Sequence, residues 1–536
     1  MRYQLLAGAA VLAIATPLAA QNVTAPNGTS KVDGPLTDTT SKTTDVTGRS
    51  TPPATTPPTS PDSGIDTLVP GDAGSAAAEP VLPPPTGNPV VDRLNALEAK
   101  VQALETRNRE LEAQAVDAQT RIQKVEVRAA KGVQPGVAPT FADVNDNFSF
   151  KPRGLMQIDF AHYHGRAGGY DYNDGTDIRR GRFGFDGTAF KVFKYRIEAE
   201  FVKNTVNLLD AYVQYVASPK IVFTAGQHKA PFGLEANSSD TFNEFMERSM
   251  SNNTFGAVGA ERRVGVSVAY LSDKLNAQVG VFGAGEAVQR SNVTTSAVNG
   301  DEVRGVNGRV TWDPLLDTGR LIHVGVSGYQ VEFHGTKTIT NLGDRPNTRV
   351  DNGLLVSIPT IGPITTGALA GRTRGVKSAT FYGAESALIF GPFSAQGEYG
   401  HLSIDRYDAV PDINLKGYYG FASFFLTGES RVFKNGVIDR LKPFNDFNPR
   451  AGHWGAFEIA ARYDHLDLTD RDFSALTRDA TTYTGAINWY LNPNVKVLFN
   501  YVRFKGTNSP LVRAPAAIYG TTAKGDTFAS RLQLDF

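Results

Sequence analysis

Three arginines in two neighbouring segments are the residues of this sequence best suited to bind a ligand through charge. Arg180 and Arg182 lie in DIRRGRFGFDG, and Arg196 lies in the following segment FKYRIEAEF. Successive side chains of an extended strand point to opposite faces, so Arg180 and Arg182 share one face and Arg196 lies on the charged face of the next strand. A guanidinium group presents a planar fork of donors that fits an oxyanion. The alternative is that these arginines only brace a wall by pairing with neighbouring carboxylates, namely Asp186, Glu198, Glu200 and Asp210.

The rest of the composition gives no support to catalysis. The chain has no cysteine, which excludes disulfides and thiolate metal sites. It also lacks GxSxG, HExxH and a glycine-rich phosphate loop before a helix, which are the motifs that place nucleophiles, zinc ions and nucleotides. Residues 146–536 carry 42 basic and 39 acidic residues, a bias too small to indicate nucleic acid or to establish an anion preference. We expect no enzymatic activity, no metal and no cofactor.

Strand alternation continues from residue 148 to the end of the chain. In FKYRIEAEF, Tyr195, Ile197, Ala199 and Phe201 form the apolar face. In LLDAYVQYV, alternation puts Leu209 on the corresponding apolar face. An exported chain with this pattern in many strands is typical of an all-β, transmembrane antiparallel β-barrel, with apolar residues toward lipid and charged residues toward a water-filled pore.

The first 89 residues predict export followed by an unfolded segment. Met1 and Arg2 precede a short apolar run that ends in small residues at Ala20, which predicts a signal peptide over residues 1–20. Residues 21–89 are rich in Thr, Pro and Ser with almost no aromatic side chains, so we predict a disordered linker. No later stretch has 18 uninterrupted apolar residues, the minimum for a spanning helix.

Residues 90–131 predict a coiled-coil helix. Apolar residues recur at alternating steps of three and four, as in a heptad seam, with Leu94, Leu97, Val101, Leu104 and Leu111 among its members. Asn108 occupies an a position of that seam, where a polar residue fixes register at some cost in stability. The seam predicts self-association in two or three strands. The alternative is a single amphipathic helix that docks on the barrel.

The barrel domain, residues 146–536, contains sixteen predicted strands whose connections alternate between short and long. Outer-membrane barrels have short periplasmic turns and long external loops, so this alternation orients the chain with its N-terminal segment in the periplasm. The long join at residues 428–453 falls on the short-turn side and breaks the rule. The final segment FASRLQLDF places its last aromatic, Phe536, on the apolar face, as expected for a closing strand.

Motifs spread in order over residues 148–536 resemble the phosphate-selective porins O and P of Gram-negative bacteria. They include IRRGRFGFDG, LLDAYVQYV, GQHKAPFGLE, FMER, GPFSAQGEY, FFLTGESRVF, AFEIAARYDHLDL and INWYLNPNVKVLFNY. The resemblance implies a sixteen-strand barrel, a homotrimer in the outer membrane in contact with lipid and lipopolysaccharide, and a basic pore that passes phosphate.

The resemblance also adds two residues to the candidate set. It implies that Arg179 lines the pore together with Arg180, and that Lys229 is a constriction residue. Residues 231–262 are predicted to fold inward and narrow the pore, so that Arg248, Arg262 and Arg263 would contribute to selectivity; the alternative is an external loop. Glu458 and Arg462 share a predicted lumen face and are interpreted as a bracing pair.

Three functions remain open at this point. The first is a porin for small anions such as phosphate, with Arg179, Arg180, Arg182, Arg196 and Lys229 as the anion-contacting set. The second is a general or differently selective porin that passes carboxylates, sulfate or phosphorylated solutes. The third is a structural tether of the cell envelope, with the coiled coil as the active part and the pore as secondary.

Overall fold

The computed structural model describes residues 84, 87–132, 139–143, 145, 147–165, 172–285, 303–362, 375–407, 410–512 and 521–536. The predicted signal peptide and residues 21–83 of the predicted linker lie outside the described residues.

A single helix, α1, runs over Pro89–Gly132. Its 44 residues give a length of about 66 Å at 1.5 Å per residue. No glycine or proline interrupts residues 90–131, which explains why the helix is continuous. The apolar seam is exposed, with Leu94 at 56% and Leu104 at 69% of full accessibility; its self-association stays a prediction. No helix within the described ranges has the length and apolar character needed to cross a membrane.

The remainder of the described chain is dominated by sixteen strands that close into an antiparallel barrel, which confirms the predicted fold. They are β1 (Phe148–Gly165), β2 (Gly175–Ala189), β3 (Phe193–Val202), β4 (Thr205–Ser218), β5 (Ile221–Lys229), β6 (Arg262–Leu271), β7 (Leu275–Gly285), β8 (Arg304–Asp317), β9 (Arg320–Lys337), β10 (Val376–Phe390), β11 (Phe393–Arg406), β12 (Ile413–Phe425), β13 (Ala456–Asp467), β14 (Asp479–Tyr490), β15 (Val495–Thr507) and β16 (Thr522–Asp535). Each strand pairs with the next, and β1 pairs with β16 from Leu155↔Asp535 to Gly165↔Gly525. Closure leaves no unpaired sheet edge, which a barrel in lipid requires.

Side-chain alternation separates the two faces of the wall. On β3, Ile197 and Phe201 are exposed on the outer surface, whereas Glu198 and Glu200 are buried inside. The outward apolar residues would contact lipid, and the inward carboxylates line the lumen. The predicted orientation of this strand is therefore correct.

Connections differ between the two ends of the barrel, which we call the turn end and the loop end. Turn-end joins are two to four residues long except for residues 426–455, and most loop-end joins are longer. The exception lies between β12 and β13, so the long join noted in the sequence is a genuine turn-end segment. We call residues 426–455 the long turn.

Two β-bulges alter the predicted faces. One lies where Gln157 pairs with Arg180 but the next pair is Ile158 with Ile178, so Arg179 is the extra residue. The other makes Leu209 the extra residue of β4. Leu209 is only 1% exposed; its predicted place on the lipid face is therefore wrong, because a bulge shifts the alternation by one position.

The long connection between β5 and β6, residues 230–261, folds into the lumen and contains helices α2 (Leu234–Asn237) and α3 (Met250–Gly259). We call it the constriction loop. Met250, at the start of α3, donates its backbone N–H to Asp464 of β13 at 2.8 Å. The inward prediction is confirmed, and the external-loop alternative is wrong.

Apolar packing fills part of the lumen, so charged residues, which the strand pattern predicts toward the pore, are not the only inward side chains. The Phe232 and Phe381 rings lie 4.7 Å apart, and the Tyr329 hydroxyl donates to the Phe255 carbonyl at 2.7 Å. Strands β9 to β13 carry inward apolar side chains beneath the constriction loop. These wall residues are Tyr329, Val331, Phe333, Phe381, Leu402, Ile404, Ile413, Leu415 and Leu466.

Candidate functional site: the basic wall of the lumen

Strand β2 presents three arginines to the lumen because the bulge changes its register. Arg180 and Arg182 occupy the inward face by simple alternation. Arg179, the extra residue, also points inward and donates from Nε and Nη2 to the Glu247 carboxylate at 2.7 and 3.0 Å. Since Glu247 belongs to the constriction loop, Arg179 ties that loop to the wall.

Arg182 and Arg196 form ion pairs with wall carboxylates. Arg182 donates to Glu200 at 2.9 Å and to Asp240 of the constriction loop at 2.7 Å. Arg196 donates to Asp186 at 3.0 Å. Two of the pairs that the bracing alternative requires are thus present, and both arginines contribute to the field with their charge partly compensated.

Arg180 has a different environment. Its Nη1 donates to the side-chain oxygen of Gln157 at 2.7 Å, and its Nε lies 3.4 Å from Asp240. That Nε is buried and has no hydrogen-bond acceptor within the described part of the chain. Arg180 therefore keeps donor capacity that Arg179 and Arg182 have spent on carboxylates.

Lys229, at the end of β5, is held by backbone carbonyls. Its ammonium group donates to the carbonyl oxygens of Ala236 at 2.9 Å and Ser238 at 3.0 Å. An ammonium group has three hydrogens, and Lys229 donates two of them to neutral carbonyl oxygens. Within the described residues, Lys229 and Arg180 are the two of the five anion-contact candidates that donate no hydrogen bond to a carboxylate, although Arg180 Nε lies 3.4 Å from Asp240.

Asp240 of the constriction loop lies at the centre of this cationic cluster. Burial alone would raise the pKa of its carboxyl, but the surrounding cations hold that pKa well below its usual range. Those cations are Arg180, Arg248, Arg182 and Lys229. Together with Glu200, the second partner of Arg182, two carboxylates face these four cations, so the cations outnumber the acids in this cluster.

A cavity of about 660 Å³ lies between this cluster and the turn end. Three of the five predicted residues line it, namely Arg182, Arg196 and Lys229, whereas Arg179 and Arg180 do not. The structure adds basic residues that the sequence argument did not select, which are Lys151, Arg153, Arg309 and Arg440. Acidic residues also line the cavity, including Asp186, Asp210 and Asp535, so the cavity wall carries both positive and negative side chains.

The other basic residues predicted beside the loop divide into two roles. Arg248 contacts Asp240 at 2.5 Å, and Arg262 pairs with Asp210 at 2.9 Å, so both belong to the lumen network. Arg263 is fully buried and donates to backbone carbonyls, including that of Gly259. Arg263 clamps the end of the constriction loop against the wall and has no exposed surface, and its contribution to selectivity stays a prediction.

The predicted pair of Glu458 and Arg462 does not form. Arg462 contacts Glu235 of the constriction loop at 3.4 Å and donates to the Glu247 carbonyl. Glu458 accepts from Asn488 at 3.0 Å. Both side chains are buried inside the barrel, but each is used to hold a different neighbour.

The long turn enters the lumen from the opposite end. It contains a small hairpin in which Val432–Lys434 pairs with Val437–Asp439. At the hairpin tip, the Gly436 carbonyl accepts from Arg309 of β8 at 2.8 Å. Asn435 and Gly436 have positive φ values of 51° and 76°, as a two-residue type I′ turn requires. The Asn-Gly pair was the sequence signal for this hairpin.

The closed sixteen-strand antiparallel barrel and its inward-folded loop are the features of one class of protein, the outer-membrane porins. Proteins of this class are channels. The family model of "Phosphate-selective porin O and P" matches residues 150–536. The chain belongs to this family, which confirms the resemblance seen in the sequence.

Two relatives are similar to this chain over most of its length. An uncharacterised protein of Caulobacter vibrioides is 28% identical over 396 residues, covering 72% of this chain and 74% of the relative. Porin O of Pseudomonas aeruginosa is 28% identical over 428 residues, covering 74% of this chain and 90% of the relative. Among solved structures, a loop-deletion form of OmpT, an outer-membrane protein of Vibrio cholerae, aligns over 73% of this chain and 100% of its own length, with 10% identity and a TM-score of 0.46.

Proposed function

We propose that this porin is a passive diffusion channel for small anions, with inorganic phosphate as its preferred solute. The observation that carries this proposal is the pair Arg180 and Lys229, whose hydrogen bonds go to Gln157 and to two backbone carbonyls, although Arg180 Nε also lies 3.4 Å from Asp240. They lie around Asp240 in a cluster with an excess of positive charge. The name of the family agrees with this solute.

The hydrogen-bond chemistry of the cluster suits a tetrahedral oxyanion. A permeating phosphate must exchange its hydration for protein donors and must also be released, which requires several moderate contacts instead of one tight cage. Arg180 adds positive charge from behind the cavity wall, and Lys229 lines the cavity as a point charge. Arg182 and Arg196 add to the attractive field, and Arg179 fixes the loop that carries Asp240.

The inserted segments favour small solutes. The constriction loop contacts the wall on both sides of the lumen, from Arg179 on β2 to Arg462 on β13. The long turn enters from the other end, and apolar packing occupies the wall beneath α3. Large phosphorylated solutes would have to displace these segments, so we favour inorganic anions over them.

The mature protein is proposed to be a homotrimer in the outer membrane, with lipid and lipopolysaccharide around it. Because β1 begins at the turn end, and because short turns face the periplasm in barrels of this type, we place the N-terminal segment and α1 in the periplasm. The exposed seam of α1, with Asn108 at an a position, offers a second surface for self-association.

Planar-bilayer recordings test the proposed solute. Phosphate should block the chloride current of the wild-type channel at lower concentration than sulfate or acetate. Equal block by all three anions would favour the general porin, and absence of any anion preference in a salt gradient would overturn the proposal.

A deletion of residues 90–129 tests the tether alternative. We expect the shortened protein to conduct and to retain phosphate block, since all the proposed anion-contacting residues belong to the barrel and its insertions. An unchanged channel combined with a weakened cell envelope would indicate that tethering is a separate function of α1.

A further inference from the structure

The side chain that accepts a hydrogen bond from Arg180 is a carboxamide, in a lumen where arginines usually donate to carboxylates. Gln157 is fully buried, and its side-chain oxygen accepts from Arg180 at 2.7 Å. On the same strand, Asp159 occupies the next inward position and accepts two hydrogen bonds from Arg531 at 2.6 and 2.7 Å. A glutamate at position 157 would give Arg180 a carboxylate partner, as Asp159 gives Arg531. This chain instead has glutamine, the neutral isostere of glutamate.

Arg180 fixes the direction of a hydrogen-bond relay. A guanidinium group can only donate, so the Gln157 oxygen must face it and the Gln157 amide must donate onward. That amide donates to the side-chain oxygen of Gln533 at 2.7 Å, and the Gln533 amide donates to the Thr241 carbonyl at 3.0 Å. The hydrogen bonds of this relay can therefore run in only one direction, from Arg180 to the Thr241 carbonyl. Thr241 follows Asp240 in the constriction loop.

Strand register places the relay at the seam of the barrel. Gln157 on β1 is the direct partner of Arg180 on β2 and of Gln533 on β16. Both glutamines are buried, at 0% and 2% of full accessibility. The position of the Arg180 guanidinium is therefore set by three adjacent strands and by the loop, without a carboxylate in direct hydrogen bond to it.

We propose that Gln157 is a positioning and specificity-determining residue of the pore. It orients the Arg180 fork through a neutral acceptor and so adds no second negative charge to that of Asp240, which already lies 3.4 Å from Arg180 Nε. This inference rests on the proposed function, since it concerns how the same cationic cluster selects its solute.

Two substitutions separate orientation from charge. Gln157→Glu keeps an acceptor but adds a negative charge beside Arg180, so phosphate block should weaken by about tenfold, the effect of losing ~1.4 kcal/mol, and the anion preference in a salt gradient should fall. Gln157→Met removes the acceptor without adding charge. Its phosphate block should weaken by only about two- to threefold, and its anion preference should equal that of the wild type.

Gln396→Glu is the matched control. Gln396 is also buried in the lumen and also accepts from an arginine, Arg431, at 3.1 Å. Arg431 already contacts the Glu244 carboxylate at 2.5 Å, so an added charge there should change phosphate block much less. Heat-modified migration on gels reports the folded fraction of each variant.

The outcomes distinguish this inference from the proposed function. If the wild type shows phosphate block but Gln157→Glu and Gln157→Met weaken it equally, Gln157 is only a seam residue and the inference is overturned. If Gln157→Glu does not fold, retained anion preference in Gln157→Met supports the inference and lost preference overturns it. If the wild type itself shows no preference for phosphate, the proposed function fails first.

Discussion

Arg431 of the long turn and Glu244 of the constriction loop meet inside the barrel, with Arg431 Nε 2.5 Å from Glu244 Oε1. The two segments enter the lumen from opposite ends and are far apart in the sequence. Both side chains are almost fully buried, so each charge depends on the other for compensation. The contact therefore joins the two insertions into one assembly.

Removing one partner of this pair should loosen both segments. Glu244→Gln or Arg431→Gln leaves a buried charge without its partner, which typically costs about 3–5 kcal/mol. The double variant should lose less than the sum of the single variants. Urea unfolding of detergent-folded barrels measures these differences, and Asp446→Asn, an exposed acid of the same long turn, is the control. Strict additivity would show that the two insertions are held independently.

Arg180→Ala should weaken phosphate block of the chloride current by several-fold. A charge-assisted hydrogen bond contributes about 1.5–3 kcal/mol in an interior, and a hydrated pore reduces that value. Arg180→Lys should give an intermediate block because it restores the charge without the fork, and chloride conductance should fall less than phosphate block. Arg503→Ala, on the outer surface, is the control. Superimposed titration curves for wild type and both Arg180 variants would make Arg180 a bracing residue.

Asp240 should stabilise the docked constriction loop over a wide pH range. Its pKa is lowered in the folded protein, so its contribution is fully present above the unfolded carboxyl pKa of about 3.9 and is lost as the pH falls through the lower folded value. The difference in unfolding temperature between wild type and Asp240→Asn should be constant above about pH 5 and should shrink below about pH 4. A difference that grows in acid would contradict this assignment.

Gly154→Val should impair barrel closure. Gly154 exchanges two backbone hydrogen bonds of 3.1 Å with the terminal Phe536, and a Cβ at position 154 would lie 2.6 Å from the Phe536 ring. We expect fewer folded barrels, as for Phe536→Ala, with unchanged conductance in those that form. Gly420→Val is the control, because a Cβ there meets open space. Equal folded fractions for the two glycine variants would exclude a role for this contact.

The strands and their closure followed from alternation because each strand carries its own pattern of apolar and polar residues. The bulges did not, since an extra residue such as Arg179 or Leu209 is defined only by the partner strand. The assignment of Arg179 to the lumen came from family resemblance, and the structure shows the register shift that produces it.

The contacts that set charge compensation could not be predicted for a similar reason. Gln157 and Gln533 are 376 positions apart, and only barrel closure makes them neighbours. The long turn had a local signal in Asn435-Gly436, but its contact with Glu244 depends on two insertions meeting in three dimensions.

The position of the relay at the β1–β16 seam has a consequence for biogenesis. Arg531 and Gln533 belong to the last strand of the chain, and they hold the constriction loop through Glu247, Met246 and Thr241. Until β16 pairs with β1, the constriction loop lacks these contacts, and Gln157, the acceptor of Arg180, lacks the Gln533 oxygen to which its amide donates. The residues proposed to select anions therefore take up their described contacts only after β16 has paired with β1.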